Sequence, residues 1–241
     1  ARPLSSLIAD HFGWRAVFMS ASVVMLAIIL VLALTIPKRT PEHQSSYGQL
    51  LGSLLTLLRR HPVLRQRALY QGLLFAAFSL FWTAAPIELS RHFGLSQTQI
   101  ALFALVGAIG AIAAPIAGRL ADAGHTRRAS LIALSLAPAA FLIGLSQPGL
   151  SVIGLAITGV LLDFAVQLNM VLGQRAVYAL DPASRGRLNA LYMTSIFMGG
   201  AIGSALASIL YEQQGWHGVV LLGAGLPLLA LVAFVVADKS R

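Results

Sequence analysis

The sequence predicts an all-α membrane protein, a bundle of transmembrane helices, and three observations carry that expectation. Hydrophobic residues make up 57% of the 241 and charged residues only 10%, where soluble domains carry about 25% charged residues. Nearly uncharged stretches recur, each about 20 residues long, which is the length a helix needs to cross a bilayer. The polar stretches between them alternate in charge, and fourteen of the seventeen Lys and Arg residues fall in every second one or in the tail.

Taken in order, residues 1–9 read as the end of a helix, and Asp10 to Arg15 as a turn with Gly13 as breaker and Trp14 at the membrane interface. Ala16 to Ile36 is an uncharged span. Pro37 to Gln66 is a polar, basic linker. Within it Tyr47, Leu50, Leu51, Leu54, Leu55 and Leu58 fall on one helical face, with a Ser46/Gln49 capping box at the start. Such a helix suits the membrane surface or a seat on the protein. Further spans run over Arg67–Leu89, Thr98–Ala117, Ala129–Ser146, Leu150–Gln174, Leu188–Leu210 and Gly218–Ala237. That makes seven full spans and the end of an eighth.

The basic polar stretches lie in the cytoplasm by the positive-inside rule, and the C-terminus with them. The net charge of +9 is thus a topological signal. A nucleic-acid site would gather the charge on one folded domain. The absence of cysteine excludes disulfides and thiolate metal sites.

Residues 4–14 align with residues 206–216: Leu, Ser, Gly and Trp are identical at matched positions, and Asp10 faces Glu212. Both stretches lead through Gly-Trp into an uncharged span. The repeat divides the chain into 1–36, the end of one six-helix half; 37–66, the linker; and 67–241, a complete six-helix half. It leads to the expectation that an N-terminal part of the first half is missing from the front. Two such halves make the parallel-repeat architecture of many secondary transporters.

Asp163 sits mid-span, where a carboxylate costs roughly 2.5–3.5 kcal/mol on insertion scales and is rarely left against lipid. Gln167 follows one turn later on the same line. Three roles fit Asp163: a proton-coupling carboxylate, a ligand for a cationic substrate, or a hydrogen-bond partner for another helix. Gln71, Phe75, Phe78 and Trp82 form a stripe, polar at one end and aromatic along the rest, that suits an aromatic or amphipathic substrate or ordinary packing. Small residues recur at four-spacing, at Gly110, Ala114 and Gly118 and at Gly199, Gly203 and Ala207. They allow close helix approach in lipid and are read as surfaces along which two halves rock. Tyr192 and Ser195 lie where they could reach a central cavity.

The loop GRLADAGHTRR resembles the cytoplasmic motif Gly-x-Leu-Ala-Asp-Arg-x-Gly-Arg-Arg of the major facilitator superfamily. Gly118, Leu120, Ala121 and Asp122 match in place; Ala123 stands for the Arg; the second Gly is displaced to Gly124; Arg127 and Arg128 close the motif. Pro3-Leu4 with the following FGWRAVF, and FWTAAPIEL-x3-FGLS, are similar to passages of the proton-coupled efflux branch. The resemblance implies a major facilitator-type bundle, here the end of helix 5 through helix 12. The seventh and tenth helices would then line the cavity, placing Asp163, Gln167, Gln71, Phe75, Phe78, Trp82 and Tyr192 on a substrate or proton pathway. Gly118, Asp122, Arg127 and Arg128 would form a cytoplasmic gate. Physically, Gly118 permits close approach, and Asp122 can meet a helix N-terminus for about 0.3–1 kcal/mol, a contact that breaks on opening. An anchoring loop set by positive-inside charge is the other reading.

The implied activity is export of a small organic molecule in exchange for protons, in the inner (cytoplasmic) membrane, without a cofactor or a metal. No nucleophile–base pair, metal-ligand cluster or phosphate loop points to an enzyme. The competing expectation is a truncated, non-transporting remnant with at most a packing role.

Overall fold

The computed structural model describes residues 5, 8, 11–37, 47–145 and 151–239. They are helical throughout apart from short turns. The helices are α1 (Trp14–Thr35), α2 (Tyr47–Arg60), α3 (Pro62–Arg91), α4 (Gln97–Phe103), α5 (Ala113–Asp122), α6 (Thr126–Ile143), α7 (Val152–Tyr178) and α8 (Arg185–Lys239). A 3-10 segment, Val106–Ile112, joins α4 to α5. Six helical segments are long and apolar enough to cross a membrane. The last of them breaks at Gly215, whose φ of 63° and ψ of −157° lie outside the helical region, so α8 makes two passages and the described residues seven.

α3 and α8 form the central seam, and glycine sets their spacing. A Cβ on Gly199 would strike the carbonyl of Gly72, and one on Gly203 the carbonyl of Ala76. Without a hydrophobic drive between helices in lipid, this backbone-to-backbone approach supplies the dispersion contact that holds them together. α7 packs on α3, α6 and α5. The stripe of Gly199, Gly203 and Ala207 is buried and is used inside this bundle, where α8 packs on α3; of Gly110, Ala114 and Gly118 only Gly110 is buried, against Asp163 of α7.

Thr98–Ala117 is not one continuous α-helix. Pro115 lacks an N–H to bond the Ala111 carbonyl, and its ring clashes with that carbonyl in an α-helix. The chain resolves this by tightening to 3-10 geometry before restarting at Ala113. In a 3-10 turn i and i+3 eclipse, so Gly110, Ala113 and then Ala117 are buried, whereas Ala114 and Gly118 are not. α4 begins with a capping box, Ser96 Oγ accepting from the Gln99 amide while Gln99 Oε1 accepts from the Ser96 amide. The Ser46/Gln49 box lies partly outside the described residues.

α2 is amphipathic but only half seated. Leu57 is buried against Leu64, Leu188 and Tyr192 with Leu58 beside it, while Leu50, Leu51 and Leu55 are exposed. Arg65 Nη1 donates to the carbonyls of Leu58 and Arg59 and closes the C-terminus of α2, where a cation is favoured. α1 buries no residue. The two Gly-Trp turns share a left-handed glycine, Gly13 at φ 81° and Gly215 at φ 63°. Their tryptophans differ: Trp216 is 5% exposed and packs on Phe81, ring centroids 6.0 Å apart, whereas Trp14 is 64% exposed.

Candidate functional site

α3 and α7 meet at mid-span, and there the Trp82 indole N–H donates to Asp163 Oδ1 at 2.7 Å. A hydrogen bond to a charged group contributes about 1.5–3 kcal/mol, comparable with the insertion cost of the carboxylate. Asp163 is half-buried, and so is Gln167 one turn along. The 3-10 segment lies directly on the carboxylate. A Cβ on Gly107 would overlap Asp163 Oδ2 and come 2.8 Å from Trp82 Cζ2, and one on Gly110 would lie 2.9 Å from the Phe164 nitrogen.

The aromatic stripe is continuous. Phe75 and Phe78 stack with centroids 5.1 Å apart, Phe78 and Trp82 are 6.4 Å apart, and Trp82 meets Phe103 edge-on at 6.0 Å. Phe197 of α8 extends it from Phe75 at 6.3 Å and is 67% exposed. The i, i+4, i+7, i+11 spacing of α3 produces this wall, and α8 and α4 each add one ring.

Gln71 and Tyr192 are placed away from the carboxylate. Gln71, fully buried, donates from Nε2 to the Val166 carbonyl at 3.2 Å and accepts from Asn169 Nδ2 at 2.7 Å. Asn169 is equally buried, and its Oδ1 has no hydrogen-bond partner among the described residues. Sequence reasoning missed Asn169 because it lies off the Asp163–Gln167 line; an amide alone in an apolar span was the available signal. Tyr192 is fully buried and donates to the Met170 carbonyl at 3.3 Å, its ring seated where a Cβ on Gly173 would sit. It belongs to the cluster of Leu64, Val177 and Leu188. Ser195 Oγ donates to the Ala68 and Tyr192 carbonyls.

At the end of the bundle carrying the basic loops, Asp122 pairs with Arg175. The sequence pointed instead to a helix N-terminus as its partner and assigned Arg175 to a loop. α7 runs on to Tyr178, which carries the guanidinium over Gly118, where a Cβ would sit 3.4 Å from Arg175 Nη2. Arg127 lines a cleft of ≈ 380 Å³ with Gln66, Arg67, Tyr70 and Phe234, and Arg128 is exposed. Arg67 crosses this end, donating to Ser130 Oγ at 2.7 Å and stacking 5.7 Å over the Phe234 ring. In the turn before α8, the Ser184 hydroxyl and the Ala183 amide hold the Asp181 carboxyl below the usual carboxylate range.

The opposite end holds a third polar group that the sequence did not suggest. Tyr211 Oη donates to Glu88 Oε2 at 2.6 Å, Glu88 is 7% exposed, and Arg91 lies over the Tyr211 ring at 5.8 Å. Among the described residues no group of three His, Asp or Glu is placed to hold a metal.

The model of the Major Facilitator Superfamily matches residues 1–177 and 67–241. The chain is 39% identical over 238 residues to an uncharacterized transporter, YgaY, of Escherichia coli O157:H7, covering 97% of this chain and 59% of that protein. It is 32% identical over 237 residues to a probable transporter, SCO4007, of Streptomyces coelicolor, covering 95% of this chain and 53% of that protein. An uncharacterized transporter of Buchnera aphidicola is 25% identical over 223 residues, covering 90% of this chain and 54% of that protein. The chain thus spans between half and three-fifths of the length of these curated relatives.

Proposed function

The chain belongs to the major facilitator superfamily, and from that premise we propose that it forms the moving C-terminal part of a transporter that carries a small organic molecule across the inner membrane in exchange for protons. The relatives are named as transporters, and the observation that carries the finer reading is Asp163. It is a carboxylate at mid-span, held by an indole, at the foot of an aromatic wall. A group that can gain and lose a proton there links proton flow to whatever lies against that wall. Phe75, Phe78 and the exposed Phe197 offer flat apolar surface to a ring-bearing or amphipathic substrate, and the buried Trp82 backs them at the carboxylate end. Gln167 adds an amide one turn from the carboxylate; Gln71, through Asn169, and Tyr192 hold the neighbouring helices in register.

In this reading residues 67–241 form one helical half, 37–66 link it to the half that includes 1–36, and the basic loops and C-terminus face the cytoplasm. The Asp122–Arg175 pair beside Gly118 is the contact that breaks when the cytoplasmic side opens, with Arg127 and Arg128 anchoring the loop at the membrane surface. A midplane site approached alternately from two sides is the general arrangement in such carriers.

The test is transport in membrane vesicles containing the protein, over a panel of aromatic and amphipathic compounds, with and without a pH gradient. The proposal expects gradient-driven movement of at least one compound and its loss in Asp163→Asn. Unchanged gradient dependence in Asp163→Asn would remove the proton role of this residue.

A further inference from the structure

Val106–Ile112 is the one place among the described membrane-crossing segments where the helix tightens to 3-10 form in mid-span. Its two faces are unlike. The inner face carries Gly107 and Gly110, and it meets Asp163 with backbone alone: a side-chain carbon at 107 would overlap the carboxylate, and one at 110 would overlap the Asp163 Cβ. The outer face carries Ile109 and Ile112, both exposed. Short 3-10 runs have poorer hydrogen-bond geometry than α-helix, and mid-helix ones mark hinges. Here the turn is fixed by Pro115 on one side, and the α-helix stops at Phe103 on the other.

We infer that Val106–Ile112 is a backbone lid over Asp163, and that Trp82 is the residue that positions the carboxylate beneath it. The lid bears on Oδ2 while the indole holds Oδ1. Asp163 is half-buried with the segment in place, and lifting of the segment from α7 uncovers the remaining Oδ2 side to reagents, protons or substrate. Glycine is required on the inner face because any Cβ props the lid open, and the 3-10 winding makes lifting less costly than bending a regular helix. This deepens the proposed function, whose working carboxylate is the group being covered, but it is tested without transport.

The experiment is modification by dicyclohexylcarbodiimide, an apolar carboxyl reagent, of the protein in its membrane, read peptide by peptide by mass spectrometry. Glu88, at the end of the bundle, serves as the internal reference. Gly110→Ala is expected to raise the rate at Asp163 about tenfold, the response to a methyl wedged into a full contact, with the rate at Glu88 unchanged. Ala108→Val, on the exposed side of the same turn, is expected to leave both rates unchanged. An unaltered Asp163 rate in Gly110→Ala, or an equal rise in Ala108→Val, overturns the lid. Hydrogen–deuterium exchange of the unmutated protein decides the matter if Gly110→Ala does not fold: amides of 106–112 should exchange faster than those of 98–103 and 116–121 in the same span, and equal protection overturns the inference. A carbodiimide contrast of the expected kind in a protein whose transport ignores the pH gradient would support the lid while removing the proton role.

Discussion

Two aspartates on opposite sides of the same helix packing illustrate two different uses of charge. Asp163 lies mid-span, half-buried, held by a neutral indole and overlain by glycine backbone. Asp122 lies at the membrane edge, paired with an arginine, with the side chains of Asp122 and Arg175 70% and 46% exposed. An exposed ion pair contributes little, about 0.2–1 kcal/mol, because water and salt screen it. It can break and re-form without threatening the fold, which suits a gate. At Asp163 screening is weak and each partner matters more, because a group left without one in the membrane interior cannot turn to water. The difference lies in the surroundings, since the two carboxylates are chemically the same.

Breaking the mid-span side should have the largest effect. Trp82→Phe keeps the ring but removes the donor to Asp163. We expect a loss of about 1.5–3 kcal/mol, read as a lowered midpoint in thermal unfolding in detergent, and the loss should be much smaller in an Asp163→Asn background. A similar loss in both backgrounds would mean that packing, not the hydrogen bond, holds Trp82. Gln71→Leu comes next. It leaves the Asn169 amide without the Gln71 oxygen to which it donates, at a cost of about 1–3 kcal/mol, and the double replacement Gln71→Leu/Asn169→Leu should restore most of it because no buried amide then remains.

At the end of the bundle opposite the basic loops, Tyr211→Phe removes the donor to the nearly buried Glu88 and should cost about 1–2 kcal/mol, intermediate between the two aspartate sites. The smallest effect is expected for Asp122→Asn: about 0.2–1 kcal/mol in low salt, vanishing as salt is raised to about 1 M, where the Debye length falls to about 3 Å. A salt-insensitive loss above that range would show that Asp122 is built into the fold as firmly as Asp163 and would break the comparison.

Much of this fold was legible because lipid leaves a chain few choices. Uncharged stretches must be helices, and the basic loops mark one face, so the seven passages and the break at Gly215 could be placed from sequence. Asp163 was legible for the same reason, and its partner Trp82 was on the stripe already singled out. The 3-10 turn was missed although its cause, Pro115 after Gly107 and Gly110, stood in plain view. Hydropathy is blind to how a helix is wound. The partners of Asp122 and Gln71 were missed because Arg175 looked like the start of a loop and Asn169 lay off the polar line. Both depend on which faces two helices turn to each other, and that is set by glycine contacts such as Gly199 on Gly72, which no single-helix periodicity reports. Glu88 was passed over as the end of a span. Its hydrogen-bond partner, Tyr211, lies 123 residues away.

The central claim is that Asp163 gains and loses a proton under the Trp82 indole. With ¹⁵N-labelled tryptophan the protein shows three indole N–H signals, one for each tryptophan, and the Trp82 signal is assigned by its absence in Trp82→Phe. The account predicts that this signal shifts with pH along a single titration curve and becomes flat in Asp163→Asn, while those of Trp14 and Trp216 do not follow it. A Trp82 signal that stays constant across the range in which the protein is folded, or one that titrates identically in Asp163→Asn, would contradict it.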